Sequence, residues 1–320
     1  MTENITDKRR KRGSDLRKPS WLKVSIPTGS TVQFVSNTKT DRSLVTVCEE
    51  AMCPNRHECW SSGTATFMLM GDTCTRACRF CAVNSGKPNG WLDLDEPRKL
   101  AEAIDLLKLK YVVLTSVTRD DLPDGGAQHL ANCISAIKEK NPNILVEILI
   151  PDFGGNISAL RSVVESPVDV IAHNMETVER LTPKVRDPRA SYQQSLDVLQ
   201  NIKRMDPQMF TKSSIMVGVG ETVDDLHEAF QDLRDHECDF LTIGQYLRPS
   251  FKHMAVEKYV HPDTFEALKQ EALKLGFKYV ASGPLVRSSY KAGEFFIENI
   301  IHSRQGEDRS STASSFIQLL

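Results

Sequence analysis

The chain has 320 residues, of which 40% are hydrophobic and 26% are charged, and this balance excludes a mostly disordered protein. Its 40 lysines and arginines against 42 aspartates and glutamates give a formal net charge of -2, which argues against a dedicated nucleic-acid-binding protein. The mean hydropathy is -0.32, and no apolar run approaches the length of about 18 residues that a transmembrane helix needs. The start of the chain lacks the apolar stretch of a secretory signal, so we expect a cytoplasmic protein.

Both ends of the chain are polar. Residues 1–20 contain an unbroken basic run at positions 8–12, with no aromatic residue interleaved among the charges. This pattern predicts a solvated, disordered tail rather than a nucleic-acid-binding arm. Residues 306–320 predict a second flexible tail.

Between the tails, short apolar runs alternate with helix-like segments. The runs are continuously apolar, as expected for strands buried on both faces, and they occur at 64–71, 111–117, 144–151, 168–174, 212–220, 240–247 and 278–284. Helical apolar spacing occurs at 96–110, 127–140, 156–165, 190–204, 222–236 and 262–275. Repeated strand–helix alternation predicts βαβ units and a parallel sheet, arranged as a barrel, a partial barrel or an open doubly wound sheet. In each of these, ligands bind at the carboxyl ends of the strands.

Six of the eight cysteines fall into two triplets. In an intracellular chain this usage indicates metal or redox chemistry rather than disulfides. Cys74, Cys78 and Cys81 follow the first predicted strand with the spacing CxxxCxxC. Three thiolates on one tight loop can hold three irons of a 4Fe–4S cluster and leave the fourth open for a ligand. Structural zinc is the alternative, but it usually has four ligands.

The second triplet, Cys48, Cys53 and Cys59, precedes the first barrel strand. A zinc ion held by these three thiolates and His57 is an alternative at this point. The two remaining cysteines, Cys133 and Cys238, lie in apolar surroundings and are predicted to be buried structural thiols.

The loop CTRACRFC at 74–81 resembles the cluster loop of the radical S-adenosylmethionine superfamily. That resemblance implies a 4Fe–4S cluster held by Cys74, Cys78 and Cys81, whose open iron chelates the amino and carboxylate groups of S-adenosylmethionine. Reductive cleavage of the sulfonium then releases a 5′-deoxyadenosyl radical, which abstracts hydrogen from an unactivated carbon. The superfamily places this loop after the first strand of a partial α/β barrel.

The segment VCEEAMCPNRHECW at 47–60, together with RSSY at 287–290, resembles the lipoyl synthase family, and the resemblance extends from about residue 20 to about residue 295. It implies a second, auxiliary 4Fe–4S cluster held by Cys48, Cys53, Cys59 and the oxygen of Ser289. The implied fold is α/β, a partial (βα)6 TIM-like barrel of the radical SAM type over 63–250. An N-terminal extension at 21–62 carries the auxiliary motif, and a C-terminal extension at 251–305 carries RSSY.

The family resemblance also implies a reaction. The substrate is an octanoyl chain in amide linkage to a lysine of a lipoyl carrier domain, either the glycine cleavage H protein or the acyltransferase subunit of a dehydrogenase. Sulfur from the sacrificed auxiliary cluster enters at C6 and then at C8, and each insertion consumes one S-adenosylmethionine. A ferredoxin or flavodoxin is the implied electron donor. We expect a monomer that binds neither nucleic acid nor membrane.

Polar residues at the strand ends are candidates for binding the cofactor. We expect Thr115 and Ser116 to bind the methionine amino or carboxylate group and Asn174 to contact the ligand. Glu147 is a candidate for a ribose hydroxyl, with pairing to a nearby Lys or Arg as the alternative. Arg287 is expected to orient the auxiliary cluster or a carboxylate, with a surface salt bridge as the alternative.

Two other classes of protein remain open on the residues alone. The first is a different radical enzyme with two clusters, such as a methylthiotransferase or a biotin-synthase-like enzyme. The spacing of the second cysteine triplet and the RSSY run argue against it. The second is a non-catalytic zinc-binding module, which leaves the strand–helix repeats unexplained.

Overall fold

The computed structural model describes residues 16–23, 30–50, 53, 55, 59, 66–109 and 111–289. The predictions for the first 15 residues of the N-terminal tail, for the C-terminal tail, and for His57 and Tyr290 lie outside these residues. In the part of the chain that the structure describes, no helix is long and apolar enough to cross a membrane.

Ten strands form two sheets in the described part of the chain. In chain order they are β1 (Val45–Thr46), β2 (Thr66–Leu69), β3 (Thr73–Cys74), β4 (Asn84–Ser85), β5 (Tyr111–Ser116), β6 (Leu145–Leu149), β7 (Val170–Ala172), β8 (Phe210–Val217), β9 (Phe240–Gln245) and β10 (Tyr279–Gly283). The main sheet has eight strands in the order β1-β2-β5-β6-β7-β8-β9-β10, and β3 pairs with β4 separately. From β2 to β10 every neighbour is parallel, whereas β1 is antiparallel to β2.

Helices follow the strands on the outside of the sheet. Within the described ranges they are α1 (Ser30–Asp41), α2 (Val47–Glu50), α3 (Glu96–Leu107), α4 (Ala127–Lys140), α5 (Ile157–Val164), α6 (Thr182–Val185), α7 (Tyr192–Met205), α8 (Val223–Asp235) and α9 (Pro262–Lys274). One of them, α8, begins with a capping box. The Thr222 hydroxyl accepts the Asp225 N–H at 3.1 Å, the Asp225 carboxylate accepts the Thr222 N–H at 2.7 Å, and α8 begins there.

The predicted partial barrel is confirmed. Each predicted strand and helix of the repeat appears with bounds shifted by a few residues. In the described residues β1 and β10 do not pair, so the barrel stays open. The structure adds one feature to the six-unit prediction. The strand β10 lies in the predicted C-terminal extension, yet it continues the same sheet, with its residues Tyr279–Gly283 paired with Phe240–Gly244 of β9.

At the amino ends of the strands, a cluster of apolar side chains fills the interior of the barrel and forms an apolar plug. Its members come from the amino-terminal halves of successive strands: Tyr111, Val113, Leu145, Val170, Phe210, Phe240 and Tyr279. Phe210 and Phe240 stack with their ring centroids 5.3 Å apart. The interior is therefore filled at this end, and the space for a ligand lies toward the carboxyl ends of the strands.

A buried ionic group lies one layer above the plug. The Glu147 carboxylate accepts from Lys212 Nζ at 2.7 and 3.0 Å and from the Tyr111 hydroxyl at 2.6 Å. Glu147 is 2% exposed and lines a pocket of about 30 Å³ beneath the main cavity. Both of its oxygens are occupied by protein partners, so the structure corrects its assignment to a ribose hydroxyl in favour of the alternative, pairing with a lysine.

We predict that Lys212→Met destabilises the protein by about 3–5 kcal/mol, because it leaves the buried Glu147 carboxylate without its cation. The measurement is urea unfolding of purified protein. The double variant Glu147→Gln/Lys212→Met removes both charges and should recover most of this loss. Two results would contradict the pairing role: an unchanged unfolding midpoint in the single variant, or a stable double variant that has lost affinity for S-adenosylmethionine.

Candidate active site

The carboxyl ends of the strands surround a cavity of about 580 Å³. This volume lies within the range of about 300–1,000 Å³ that is usual for small-molecule and cofactor sites. Most residues predicted for the site lie on its wall: Cys74, Cys78, Cys81, Thr115, Ser116, Asn174 and Arg287. The structure thus brings the first cysteine triplet together with three of the polar residues proposed for the cofactor.

The backbone of the cysteine loop is fixed by three other segments of the chain. The hydrogen bonds are Thr75 N–H to the Thr118 carbonyl at 2.9 Å, Arg79 N–H to the Val185 carbonyl at 2.9 Å, and His253 Nε2 with the Cys81 carbonyl at 2.9 Å. Because the three partners come from three different strand–helix connections, the folded barrel determines the geometry of the thiols.

Arg76 anchors the same loop through its side chain. Its guanidinium is 6% exposed, donates to Asp152 at 2.7 Å through two nitrogens, and donates to Asp120 at 2.9 and 3.1 Å. Burial lowers the pKa of Arg76, but the hydrogen bonds to Asp152 and Asp120 outweigh it and raise the pKa above its usual value. Arg76 therefore stays charged, and the bidentate pairing fixes the loop to the ends of β5 and β6.

A second ionic contact clamps the middle of the loop. The Asp187 carboxylate accepts the Ala77 N–H at 2.9 Å, and the Asp187 N–H donates to Cys78 Sγ at 3.3 Å. Arg189 pairs with Asp187 at 2.8 Å and donates to the Thr75 carbonyl at 2.8 Å. The hydrogen bond from Arg189 holds the pKa of Asp187 well below its usual range. The segment 187–189 thus touches both the loop backbone and one of its sulfurs.

The thiols of this loop lie in a partly dry environment. Burial raises the pKa of Cys81 to about 12 and also raises the pKa of Cys78. Without a metal both thiols are therefore neutral, and metal binding would displace their protons. Backbone N–H groups reach Cys74 Sγ from Arg76 at 3.4 Å and Cys78 Sγ as described above, and such donors stabilise thiolate ligands. Three thiols on one cavity wall, two of which accept backbone N–H groups, fit an iron–sulfur cluster.

Two polar atoms on the cavity wall have no partner among the described residues. Ser116 Oγ and Asn174 Oδ1 are buried there without a hydrogen bond. An unsatisfied buried polar atom costs about 1–3 kcal/mol, so these atoms favour a polar ligand. The Asn174 amide is oriented by the Glu176 carboxylate, which accepts from Nδ2 at 3.0 Å. Thr115, beside Ser116, is also buried on this wall.

Three further residues of the cavity wall, His173, Glu176 and Arg186, are not among the predicted site residues. Glu176 lies on the cavity with a positive φ of 67°, and burial raises the pKa of its carboxyl. His173 is neutral, because burial lowers its pKa to about 4, and its ring contacts the Ile150 carbonyl and the Ser195 hydroxyl. The position of HNMET at the end of a predicted strand was a signal for both residues. Arg186, which donates to Ser195 at 2.8 Å, carried no such signal.

The second cysteine triplet is tied to the far end of the chain. Cys48 lies on the short helix α2, Cys48 and Cys59 are buried, and the Cys53 N–H donates to the Cys48 carbonyl at 3.1 Å. Asn55, between the second and third cysteines, donates to the Leu285 carbonyl at 2.7 Å. This hydrogen bond joins positions 230 residues apart and brings the triplet next to RSSY.

The RSSY segment borders both cavities. Arg287 and Ser288 line the main cavity, and Ser288 and Ser289 line the small pocket together with Val47, the neighbour of Cys48. Arg287 donates to the carbonyls of Val286 at 2.7 Å and Gln245 at 3.3 Å. Burial lowers the pKa of Arg287, and the charge of Cys53 acts in the opposite direction. The Arg287 guanidinium forms no ion pair with any carboxylate of the described residues, so the surface salt bridge is not observed.

A separate group of possible metal ligands, Glu96, His129 and Cys133, is wholly buried between helices. The Glu96 carboxylate accepts from His129 Nε2 at 2.7 Å and from the Met70 N–H at 3.0 Å. Met70 follows the last residue of β2 with a φ of 65°. Its N–H is therefore not part of the strand pairing and donates to the Glu96 carboxylate instead. We interpret this group as a structural contact at the start of the cysteine loop. Cys133 and Cys238 are both 0% exposed, which confirms their prediction as buried thiols.

Comparison with known proteins identifies the class. Residues 68–233 match the model of the radical SAM superfamily. Among solved structures, methylornithine synthase (PylB) superposes with a TM-score of 0.51 at 12% identity, over 80% of this chain and 79% of that chain. The hydrogenase maturase HydG from Carboxydothermus hydrogenoformans gives a TM-score of 0.51 at 11% identity, over 87% of this chain and 72% of that chain. At these identities the likeness shows the fold, and the superfamily match agrees with the three-cysteine loop.

Sequence relatives narrow the class to one family. Residues 2–53 match the N-terminal domain of lipoyl synthase. The chain is 57% identical to lipoyl synthase of Halorhodospira halophila over 86% of this chain and 83% of the relative. It is 50% identical to the mitochondrial lipoyl synthase of Homo sapiens over 94% of this chain and 82% of the relative. The chain belongs to the lipoyl synthase family of radical SAM enzymes, so the alternative of a non-catalytic zinc-binding module was wrong.

We predict that Asp187→Ala lowers cluster binding at the first triplet, because it removes the acceptor for the Ala77 N–H and the counter-ion of Arg189. Anaerobically reconstituted protein should lose up to about four irons per chain while its fold, followed by circular dichroism, persists. Asp225→Ala is the matched control, since Asp225 also pairs with an arginine, Arg180, but lies on the surface at the start of α8. Full iron content and an unchanged electron paramagnetic resonance spectrum in Asp187→Ala would show that the clamp does not position the loop.

Proposed function

We propose that the chain inserts two sulfur atoms, at C6 and then at C8, into an octanoyl chain carried in amide linkage on a lysine of a lipoyl carrier domain. The observation that carries this proposal is the meeting of two cysteine groups at one end of the open barrel. The first triplet lies on the cavity, and the second is tied by Asn55 to the segment that lines it. Sulfur insertion at an unactivated carbon needs a radical source and a sulfur source close together.

The residues divide between these two sources. Cys74, Cys78 and Cys81 would hold a 4Fe–4S cluster with one open iron. A second 4Fe–4S cluster would be held by Cys48, Cys53, Cys59 and Ser289. When bound, these groups supply the electron that cleaves S-adenosylmethionine and the sulfur that is inserted. We assign the open coordination position to the methionine amino and carboxylate groups.

The chain itself positions the cofactor and excludes water. Ser116 and Asn174 offer their unpaired oxygens to the polar groups of S-adenosylmethionine, and Thr115 lies beside them. Apolar side chains such as Val117, Ile150 and Ile215 cover much of the remaining wall, with Glu147 and Lys212 one layer deeper. A carbon radical formed in this space meets few water molecules and lies near the sulfur source, so positioning and water exclusion favour sulfur insertion.

Ser289 and Arg287 have distinct parts in this scheme. Ser289 is the proposed oxygen ligand of the auxiliary cluster, and a hard oxygen ligand suits an iron–sulfur cluster less well than the soft thiolates do. We infer that Ser289 leaves first when the cluster is dismantled to release sulfur. Arg287 donates to two backbone carbonyls and interacts electrostatically with Cys53. It would therefore orient the cluster near Cys53.

The partners follow from the reaction. The acyl substrate is carried on the glycine cleavage H protein or on the acyltransferase subunit of a dehydrogenase, and the electron comes from a ferredoxin or flavodoxin. A cytoplasmic monomer is the form that we propose. None of the eight cysteines, all within the described residues, forms a disulfide, as in a reducing compartment.

The first test is the metal content of anaerobically purified protein. We expect about eight irons and eight acid-labile sulfides per chain, with a broad brown absorbance, because each 4Fe–4S cluster contributes four of each. Zinc without iron or sulfide in protein never exposed to oxygen would overturn the proposal.

The second test separates the two cysteine groups on an octanoylated carrier domain. Cys78→Ala should abolish cleavage of S-adenosylmethionine, measured as 5′-deoxyadenosine, because the open iron is lost. Cys53→Ala should retain part of that cleavage but form no lipoyl product, measured by mass spectrometry of the carrier. Lipoyl product from Cys53→Ala would exclude the auxiliary cluster as the sulfur donor, and Cys238→Ala is the control for loss of an unrelated buried thiol.

A further inference from the structure

The segment of residues 250–254 packs against the backbone of the cysteine loop. The Cys81 carbonyl pairs with His253 Nε2 at 2.9 Å, and the Arg79 carbonyl accepts the Met254 N–H at 3.1 Å. Residues 250–254 therefore lie directly against the backbone of residues 79–81. On the side of the loop toward helix α6, the Arg79 guanidinium donates to the Lys184 carbonyl at 3.3 Å. These contacts make one continuous surface over the last two cysteines of the loop.

This surface carries uncompensated positive charge. Arg79, Lys184 and Lys252 are all exposed, and none forms an ion pair with a carboxylate of the described residues. Two other arginines at the same loop differ, because the buried Arg76 and the exposed Arg189 are both paired with aspartates. Like charges gathered without counter-ions repel one another, so a negatively charged partner would relieve this repulsion.

An exposed aromatic side chain lies among these cations. Phe251 is 83% exposed, although its backbone is fixed, since its carbonyl accepts from Arg248 Nη2 at 2.7 Å. The Arg248 guanidinium also lies 5.3 Å from the centre of the Phe251 ring. An exposed aromatic side chain on a fixed backbone, with cations around it, is typical of the centre of a protein-docking surface.

We propose that this surface, formed by Arg79, Lys184, Phe251 and Lys252, docks a small acidic protein that carries one electron at low potential on a flavin or an iron–sulfur cluster. The inference rests on the proposed function, which requires an electron at the first cluster for each S-adenosylmethionine cleaved. One electron passes from the reduced donor to that cluster, the donor is oxidised by one electron, and docking itself breaks no bond.

The position of the surface distinguishes this partner from the acyl carrier. An electron donor needs only to come close to the cysteine loop from outside, and the surface lies directly over Cys81. An acyl chain must instead enter the cavity, and none of the four residues of the surface lines that cavity. The surface therefore fits a partner that delivers an electron without entering.

The test compares two reductants on the reconstituted, full-length protein. Lys184→Glu/Lys252→Glu reverses two charges, and Phe251→Ala removes the aromatic contact without changing charge. Cleavage of S-adenosylmethionine is measured with reduced flavodoxin as the probe donor and, separately, with excess dithionite. With flavodoxin we expect the rate of the charge-reversal variant to fall by about tenfold or more, and that of Phe251→Ala to fall by a smaller factor. With dithionite both variants should match the wild type.

A matched control and a salt series complete the experiment. Lys140→Glu reverses an exposed charge at the end of helix α4, near the amino ends of the strands, and should leave the flavodoxin-driven rate unchanged. The wild-type rate at subsaturating flavodoxin should fall as ionic strength rises, because salt screens the attraction, and the charge-reversal variant should lose that dependence.

Several outcomes would overturn the inference. Equal losses with flavodoxin and dithionite would mean that the residues act on the cluster rather than on docking. Full flavodoxin-driven activity in both variants would exclude the surface. A raised KM for the octanoylated carrier with dithionite as reductant would assign the surface to the carrier domain instead. If the wild-type protein cleaves no S-adenosylmethionine even with dithionite, the proposed function itself fails, and that result is distinct from the other three.

Discussion

The buried pairing of Arg76 with Asp152 is the interaction on which the site depends. A guanidinium that is 6% exposed is costly unless it is fully paired, and here two aspartates from two different strand ends satisfy it. That pairing forces the loop of Cys74–Cys81 to sit at one place over the sheet. Asp187 then adds its contact to the Ala77 N–H, so the loop is held on both sides. The positions of the three thiols therefore depend on ion pairs that only the folded barrel brings together.

The open edge of the barrel explains where the second cysteine group lies. A closed barrel would pair its first and last strands, but β1 runs antiparallel beside β2, and β10 ends the sheet on the other side. Segments from both ends of the chain approach the cavity instead, and Asn55 bonds to the Leu285 carbonyl where they meet. Gly244 permits this approach, because a Cβ there would lie 2.2 Å from the Val286 carbonyl oxygen. An architecture with a gap thus gains room for a second metal group next to the first.

Local sequence patterns were sufficient for the fold and for part of the site. Continuous apolar runs located β5 and β9 because both strands are buried on both faces, and the carboxyl-end rule then located Ser116 and Asn174 on the cavity. Long-range partners could not be predicted in the same way. Glu147 pairs with Lys212, 65 positions away, and Asp187 reaches Ala77 across 110 positions. The helix α2 has only four residues, which is too short for helical periodicity to be visible.

The cations at the cysteine loop fall into a paired group and an unpaired group, and the difference matches two roles. Arg76 and Arg189 are both paired with aspartates, and these ion pairs fix the geometry of the loop. Arg79 and Lys252 are instead exposed without such partners, so their field extends into solvent and falls off over a Debye length of about 10 Å at moderate salt. Paired charges are suited to holding a catalytic group rigid, whereas unpaired charges are suited to attracting a transient partner. Different residues of the loop and its neighbours supply the paired and the unpaired charges, so fixing the thiols and attracting an electron donor need not compete for the same side chains.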